Sequence, residues 1–497
     1  MTITQDQAAT RAGRREWTAL AVLMLPLLLV SMDVSVLYFA VPFIARDLEP
    51  TATQQLWIFD VYGFVLAGLL LVMGAVGDRI GRRRLLLLGA TGFGLASLAA
   101  AYASSAEMLI AARAVLGISG ATLMPSTLAL LRNLFRDDAQ RATAVSVWTA
   151  VMGGGVALGP VLSGVLLAHF WWGSVFLVNL PAMVLLLVLV PVLVPEFRPA
   201  RSGPFDLRGA VLSLSAILPT VWAVKELAAH GASTGRLVVL VAGLAFGALF
   251  VRAQRTGSHP MVDRELFRDR RFAGALAANL LAMFALVGNA IFTTQFLQSV
   301  LGMSPLRAAL WSVAPTFAVM AAAPAAMALA RRYRRTPVVA GGFATAAAGF
   351  LVLTRLGAGP GLVVVLIGAG ILAVGLVAVM TVVADTALGV APADRAGSAS
   401  ALLETSGELG GAFGMAVLGS IGAAVYRQQV VVPAGVDPLS ADAARETLGG
   451  ALAVGGRVVD SAREAFVAGM HVEAAAGAVL LLGAAAVVAA WGRRSAG

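Results

Sequence analysis

The feature that most constrains this chain is a succession of apolar runs, each long enough to cross a bilayer as a helix. A span needs about 20 apolar residues to cross roughly 30 Å of hydrocarbon. Fourteen runs of this kind lie near 18–43, 57–76, 84–103, 108–131, 142–168, 174–195, 209–229, 236–253, 272–300, 306–330, 337–355, 361–384, 397–425 and 468–491. Because so little chain remains between them, the sequence predicts an all-α polytopic membrane protein.

The spacing of the runs divides the chain into three parts. We predict a six-helix bundle in 1–195, a linker region with two extra transmembrane helices in 196–271, and a second six-helix bundle in 272–497. In the last part, residues of about 426–467 are polar and charged, which predicts an external loop that is either a cap or a plain connector. The loop GDRIGRRR after the second run has a weaker counterpart, LARRYRRTP, after the tenth, as a duplicated unit would.

The basic residues decide how the helices are oriented. A formal net charge of +10 would suggest nucleic-acid binding in a soluble chain. Here, however, 26 of the 36 Lys and Arg residues fall on one side if both termini are cytoplasmic, as the positive-inside rule predicts. We therefore expect an N-in/C-in protein and no nucleic-acid partner. The strong preference for Arg over Lys, with abundant Ala, Gly and Val, is typical of a GC-rich bacterial genome. For a polytopic protein of such an organism we expect the bacterial inner (cytoplasmic) membrane.

The residues and motifs that usually form catalytic or metal sites are absent from the sequence or lack the required spacing, which argues against an enzyme. The chain has no cysteine, and its four histidines lie in or near predicted loops without metal-ligand spacing. The sequence shows no phosphate-binding loop and no nucleophile–base arrangement. We therefore expect no metal, no cofactor and no ATP hydrolysis, and a proton gradient as the source of energy.

Three motifs combine glycines with charged residues or with proline. The loop after the second run contains Gly74, Gly77, Asp78, Arg79, Gly81 and Arg82. The fourth run contains LIAARAVLGISGA, with Arg113 and Gly117. The fifth run contains Gly155, Gly159, Pro160 and Gly164. All three motifs resemble signatures of the major facilitator superfamily, and the last resembles the signature of its antiporter branch.

The resemblance covers nearly the whole chain and narrows to the fourteen-helix drug:proton antiporter branch. It is also carried by LLLVSMDVSVLYFAVPFIARDL, LWIFDVYGFVLAG, VFLVNLP and ADRAGSASALLETSGELGGAFGMAVLGS. The chain departs from the family pattern at Trp171-Trp172-Gly173, where many members have W-R-W, so any role of that arginine is absent.

This resemblance implies the major facilitator fold and a function. The expected activity is export of lipophilic, often cationic, drugs from the cytoplasm or inner leaflet in exchange for protons, by alternating access and by a monomer in the lipid bilayer. Such multidrug efflux would confer antibiotic resistance. A dedicated proton-coupled exporter of one endogenous metabolite, antibiotic or siderophore would use the same fold and stays an alternative. Conformational gating is expected of Gly74, Asp78, Arg79, Gly81, Arg82, Gly155, Gly159, Pro160 and Gly164.

Ionisable residues inside the apolar runs are the candidates for proton coupling. Asp33 lies midway along the first run, where ionisation is penalised. This position suits a residue that carries protons; alternatively, Asp33 forms hydrogen bonds that stabilise a kink in the helix. The arginine that Arg113 matches is associated with proton transfer in the family, although a structural ion pair would also explain it. Glu404, in the thirteenth run, completes the coupling set of Asp33, Arg113 and Glu404.

The candidates for substrate binding combine carboxylates with aromatic and amide side chains. Asp60 and Glu404 match acidic positions that related pumps use for cationic substrates or coupling, and Glu408 lies one helical turn from Glu404. Aromatic rings can stack on flat cations in an apolar cavity. The predicted set is Asp60, Glu404, Glu408, Tyr38, Tyr62, Phe292 and Gln295. The alternatives are a solvated Asp60, a packing role for Glu404, aromatic rings that face lipid, and an interhelical hydrogen bond for Gln295.

Overall fold

A computed structural model describes residues 12–135, 137–197, 206–257, 265–357, 361–391, 396–434 and 436–494. Their regular structure is helical. The α-helices are α1 (Arg14–Leu48), α2 (Ala52–Ile80), α3 (Arg82–Ala101), α4 (Ala106–Leu134), α5 (Asp138–His169), α6 (Ser174–Leu177), α7 (Asn179–Leu193), α8 (Leu207–His230), α9 (Thr234–Thr256), α10 (Arg270–Gln295), α11 (Pro305–Tyr333), α12 (Arg335–Leu353), α13 (Leu362–Val390), α14 (Ala396–Gln429), α15 (Pro438–Glu446), α16 (Leu448–Val454) and α17 (Val458–Arg494). A 3₁₀ turn, Leu266–Arg268, precedes α10, and a π-helical turn, Phe296–Val300, follows it.

Each predicted apolar run overlaps a helix, and the sixth run is divided into α6 and α7. In the described part of the chain, twelve helices are long and apolar enough to cross a membrane. The other two runs, in α2 and α5, contribute the shorter apolar stretches Val61–Leu70 and Leu158–His169. The predicted all-helical class is therefore confirmed. The count of fourteen spans and the N-in/C-in orientation stay predictions.

Polar side chains fix where seven of the long helices begin. Each accepts a hydrogen bond from a backbone N–H of the first helical turn, which has no partner inside the helix. These N-cap residues are Thr51 for α2, Ser105 for α4, Asp137 for α5, Asp206 for α8, Ser233 for α9, Asp269 for α10 and Ser304 for α11. The short polar segments between the apolar runs thus set the boundaries of the helices.

The long helices form two bundles, which we name by their members. The N-terminal bundle is α1–α7, and the C-terminal bundle is α10–α14 together with α17. Glycines allow very close packing within them: a Cβ atom at Gly410 or Gly414 of α14 would lie 2.2 or 2.0 Å from a backbone carbonyl oxygen of α10. Such contacts replace the hydrophobic drive that lipid does not provide between helices.

The α8–α9 hairpin lies against both bundles. Its α8 packs on α2 and on α14, and the Leu214 side chain occupies the space above Gly68 of α2. Ile217 and Leu218 pack against a small apolar cluster that joins Phe64 of α2 to α14. The apolar side chains of α9 are largely exposed, as expected for a helix that faces lipid.

The contacts that join the two bundles lie toward one end of the molecule. We call this end the Glu49 face, because α1 ends there at Glu49, and the opposite end the Gly81 face, because α2 ends there at Gly81. A Cβ atom at Gly164 of α5 would lie 2.8 Å from Cα of Leu306 in α11. Leu56 of α2 likewise packs on Gly419 of α14. The bundles are therefore closed against each other near the Glu49 face.

The connection between α14 and α17 differs from its prediction as a loop over about 426–467. It is shorter, because α14 continues to Gln429 and α17 begins at Val458, and it contains α15 and α16. The Tyr426 hydroxyl donates a hydrogen bond to the carbonyl oxygen of Ala444 at 2.8 Å. Gly449 of α16 packs against Ala45 of α1. The segment is thus an ordered cover that reaches the N-terminal bundle.

The two arginine-rich turns share an unusual backbone conformation. Gly81, between α2 and α3, has φ 108° and ψ 135°, and Arg334, between α11 and α12, has φ 75° and ψ 159°. Both turns lie between the second and third helices of their bundles. This likeness supports the duplicated unit predicted from the two loop sequences.

Because Arg334 adopts a conformation that favours glycine, Arg334→Gly is expected to stabilise the protein by about 1 kcal/mol. The measurement is the melting temperature of purified protein in detergent. Arg331→Gly is the control, since Arg331 lies inside the last turn of α11, where glycine costs up to about 1 kcal/mol. A melting temperature that falls equally in both variants would contradict the strain assigned to Arg334.

Candidate functional site

A buried ion pair lies at the centre of the N-terminal bundle. Arg113 of α4 donates a hydrogen bond from Nη1 to Oδ2 of Asp33 in α1, and the two side chains are 1% and 4% exposed. Arg113 also donates from Nε to the carbonyl oxygen of Ile58 at 3.0 Å. Its guanidinium group lies 4.6 Å from the ring centroid of Tyr62. Three helices, α1, α2 and α4, therefore hold this pair.

Tyr62 lies between the Asp33–Arg113 ion pair and the C-terminal bundle. Its hydroxyl lies 3.5 Å from the carbonyl oxygen of Val30. A Cβ atom at Gly63, the residue after Tyr62, would lie 3.7 Å from Cβ of Ala412 in α14. Glu408 lies one helical turn before Ala412 on the same helix, so the structure brings predicted coupling and binding residues of both bundles into one region.

The arrangement around Asp33 defines what it can do chemically. In this structure its charge is balanced by Arg113, as an ion pair without exposure to water requires. A proton that binds the Asp33 carboxylate would remove that charge and weaken the pair. Protonation of Asp33 would therefore loosen the link between α1 and α4.

The predicted gating motif of α5 packs on α1 at the turns that flank Asp33. A Cβ atom at Gly155 would lie 1.9 Å from Oγ of Ser31 and 2.9 Å from the carbonyl oxygen of Leu28. A Cβ atom at Gly159 would lie 2.0 Å from Oγ of Ser35. Pro160 is inside the same helix, and Gly164, one turn further on, meets α11 of the other bundle. This helix thus connects the surroundings of Asp33 with the bundle interface.

The other gating motif, at the Gly81 face, is held by Glu196, which follows α7. The Glu196 carboxylate accepts hydrogen bonds from the backbone N–H groups of Arg83 at 2.9 Å and Arg84 at 3.2 Å. The backbone N–H of Arg82 donates to the carbonyl oxygen of Phe197 at 3.1 Å. A carboxylate at the start of α3 is favourable because the helix dipole is positive there.

The individual positions of this motif differ in their surroundings. A Cβ atom at Gly74 would meet open space, whereas one at Gly77 would lie 2.9 Å from the Arg82 side chain. Arg79 lies in the last turn of α2. The side chain of Asp78 lies outside the described part of the structure, so its predicted role in gating stays a prediction.

The carboxylates of the predicted binding set lie on α14 and α2. Glu404 and Glu408 are both partly exposed. Asn279 of α10 donates from Nδ2 to the carbonyl oxygen of Leu403 at 3.0 Å and to Oγ of Ser406 at 2.9 Å, which fixes the turn that carries Glu404. The Asp60 side chain lies outside the described part.

The remaining members of the predicted binding set are buried. The Tyr38 ring lies 5.5 Å from that of Phe59. The Phe292 ring packs on Gly422 of α14 and lies 5.9 Å from the ring of Phe466 in α17. Gln295 is 8% exposed, close to the π-helical turn. Their roles in substrate binding stay predictions.

Sequence reasoning missed three polar residues that the structure makes prominent. Glu196 carried a signal, since it follows the sixth run on the same predicted side as GDRIGRRR. Glu473 also had a sequence signal, as an acidic residue within the last apolar run. Asn279 had no sequence signal, because its two hydrogen bonds depend on how α10 packs on α14. In the described ranges no three His, Cys, Asp or Glu residues are placed to hold a metal ion.

Comparison with known proteins agrees with this architecture. The sequence model of the Major Facilitator Superfamily matches residues 23–415. The chain is 45% identical over 495 residues to the multidrug efflux pump LfrA of Mycolicibacterium smegmatis, covering 98% of each protein. It is 35% identical over 486 residues to the methyl viologen resistance protein SmvA of Salmonella typhimurium, covering 94% of this chain and 97% of that one.

A solved structure with a similar fold is the inward-facing, unoccupied bacterial homologue of the human lysosomal transporter Spinster. Its TM-score is 0.67 at 17% identity, with 96% of this chain and 97% of that chain covered. At this identity the likeness shows the fold alone. The family match over most of the chain and the extent of the two relatives, however, show more than the fold: the chain belongs to the major facilitator superfamily.

Proposed function

We propose that this transporter is a proton-coupled antiporter that exports lipophilic, often cationic, molecules from the cytoplasm or inner leaflet of a bacterial inner membrane. Two relatives that match along nearly their whole length are named for multidrug efflux and for methyl viologen resistance. The protein acts as a monomer, without a cofactor, and uses the proton gradient.

The observation that carries this proposal is the buried Asp33–Arg113 pair, with the ring of Tyr62 beside it on α2, a helix that packs on α14, which carries Glu404 and Glu408. Charged groups inside a membrane protein are costly and commonly mark ion or substrate pathways. A pair that a proton can separate, beside a helix that packs on α14 of the opposite bundle, links protonation to movement between the bundles. Asp33, Arg113 and Glu404 form the coupling set.

The cycle is alternating access by two bundles that rock against each other. The units are residues 1–195 and 272–497, with the extra helices of 196–271 between them. The Gly81 face is cytoplasmic, as the distribution of arginines predicts. The contacts near the Glu49 face then close the outer side, so that the site opens to the cytoplasm. Gating changes two sets of contacts. One is the contact of Glu196 with the turn at Gly81, and the other is the contacts that the glycines of α5 make.

Loose binding of varied cations follows from apolar surface with few charges. Burial of apolar area supplies affinity, and a carboxylate selects positive charge. Asp60, Glu404 and Glu408 supply the charge, and Tyr38, Tyr62, Phe292 and Gln295 supply rings and an amide. Binding of a drug and of a proton to the same carboxylates would be mutually exclusive, which is the basis of exchange.

The test is ethidium transport in everted vesicles with and without an imposed proton gradient. Wild-type protein is expected to move ethidium only with the gradient. Glu404→Gln is expected to lose this transport by about tenfold or more. Glu464→Gln, which changes an exposed carboxylate of α17, should keep it. Well-folded protein that moves no ethidium, or any of a panel of unrelated cations, would instead favour a dedicated exporter of one compound.

A further inference from the structure

The last helix carries a buried carboxyl group that the mechanism above does not use. Glu473 lies within the apolar candidate span Val458–Gly492 of α17, and its exposure is 0%. Neither Oε1 nor Oε2 has a hydrogen-bond partner in the described part of the protein. This contrasts with Asp33, which is also buried but is paired with Arg113.

The packing on either side of Glu473 explains why it is enclosed. Gly469 and Gly477 lie four residues before and after it, and residues at this spacing share one face of a helix. A Cβ atom at Gly469 would lie 2.7 Å from the carbonyl oxygen of Gly422 in α14, and one at Gly477 would lie 2.5 Å from the ring of Phe350 in α12. Glu473 thus lies at the junction of α17 with α12 and α14, where α17 touches α14 almost backbone to backbone and the Phe350 ring fills the contact with α12.

None of the described charged groups on the neighbouring helices bonds to Glu473. On α17 itself, Arg463 donates from Nε to the carbonyl oxygen of Ser299 at 3.1 Å, and His471 donates from Nε2 to that of Leu356 at 2.7 Å. The other titratable residues of the helices in contact with α17, and of α17, are Arg270, Arg271, Arg335, Glu404, Glu408, Tyr426, Arg427, Asp460, Glu464, Arg493 and Arg494. The π-helical turn and α16, which also touch α17, carry none.

A charged carboxylate without a donor or a cation is costly in such surroundings, whereas the neutral acid is tolerated. We propose that Glu473 is a second proton-binding site, located in the C-terminal bundle. Its carboxylate takes up one proton to become the neutral acid when α17 is packed as seen here. It returns that proton to water when α17 moves away from α12 and α14. The coupling of this proton to transport rests on the proposed function.

The first test measures proton binding without transport. The folded protein would hold one proton more than the unfolded chain at pH values above the ordinary range of a glutamate, so its stability must fall as pH rises. Glu473→Gln cannot release a proton and lacks this contribution. The melting temperature of Glu473→Gln minus that of wild type is expected to increase from about pH 5 to about pH 8. The difference for the exposed control Glu464→Gln should stay constant.

If the melting temperatures of Glu473→Gln and wild type change with pH in parallel, the proposed site is overturned. If the amide fails to fold, Glu473→Met provides the same comparison with an apolar side chain of similar length.

The second test asks whether the proton is used. With a proton gradient, Glu473→Gln is expected to move ethidium about tenfold more slowly than wild type while still binding it in detergent. Glu473→Asp, which keeps a titratable group, should recover part of the rate. Full transport by Glu473→Gln with an unchanged pH profile would overturn the coupling role. A wild-type protein without proton-driven transport would refute the proposed function, but the melting curves would still decide whether Glu473 binds a proton.

Discussion

Replacing Asp33 by asparagine is expected to abolish proton-driven transport and to lower the free energy of unfolding by about 3–5 kcal/mol. The asparagine cannot bind a proton, and it leaves the charge of Arg113 buried without a counter-charge, since its other partners among the described residues are a carbonyl oxygen and the Tyr62 ring. Ethidium transport in vesicles and the melting temperature in detergent measure the two effects separately.

A double variant separates coupling from packing. Asp33→Asn combined with Arg113→Gln removes both charges, so most of the lost stability should return while transport stays absent. If Asp33→Asn alone pumps at the wild-type rate, Asp33 is not a coupling residue. If it pumps poorly but the double variant pumps well, the pair is only a structural link between α1 and α4.

Gly155→Ala is expected to lower transport by about tenfold or more and to destabilise the protein by about 1–3 kcal/mol. The added Cβ atom would lie 2.9 Å from the carbonyl oxygen of Leu28. The Ser31 hydroxyl, at 1.9 Å, can rotate away, but the backbone of α1 cannot. The methyl group must therefore push α5 from the part of α1 that holds Asp33. Transport assays and melting curves measure the result.

The neighbouring glycine provides the control. A Cβ atom at Gly154 meets nothing within 4 Å, so Gly154→Ala should transport normally and, as alanine favours helix, be at least as stable as wild type. Equal losses in the two variants would mean that the contact with α1 is not what limits substitution in this motif.

The sequence predicts the helices of this protein well, because each span needs its own long apolar run and its ends need polar caps. The run at 337–355 corresponds to α12, and caps such as Thr51 and Ser304 stand at the predicted breaks. The residues that bridge sequence-distant helices were harder to predict. Asp33 and Arg113 were each singled out, but only the fold shows that they bond to each other.

The connection after α14 shows a second limit of sequence reasoning. Its short helices were predicted as loop because α15 is polar and α16 is only seven residues long. Their order depends on contacts with Tyr426 and with Ala45 of α1, which no local pattern encodes. Glu196 was missed for the same reason: its partners are backbone groups of a turn more than 100 residues earlier.

The α8–α9 hairpin imposes a mechanical condition on any rocking motion. Because α8 touches α2 in one bundle and α14 in the other, it can travel with only one of them and must slide over its other neighbour. The surfaces involved are apolar, with Ile217 and Leu218 against the cluster around Phe64, and such contacts have little directional preference. In the proposed rocking cycle, the hairpin would therefore cover the gap between α2 and α14 and keep lipid acyl chains out of it while the bundles move.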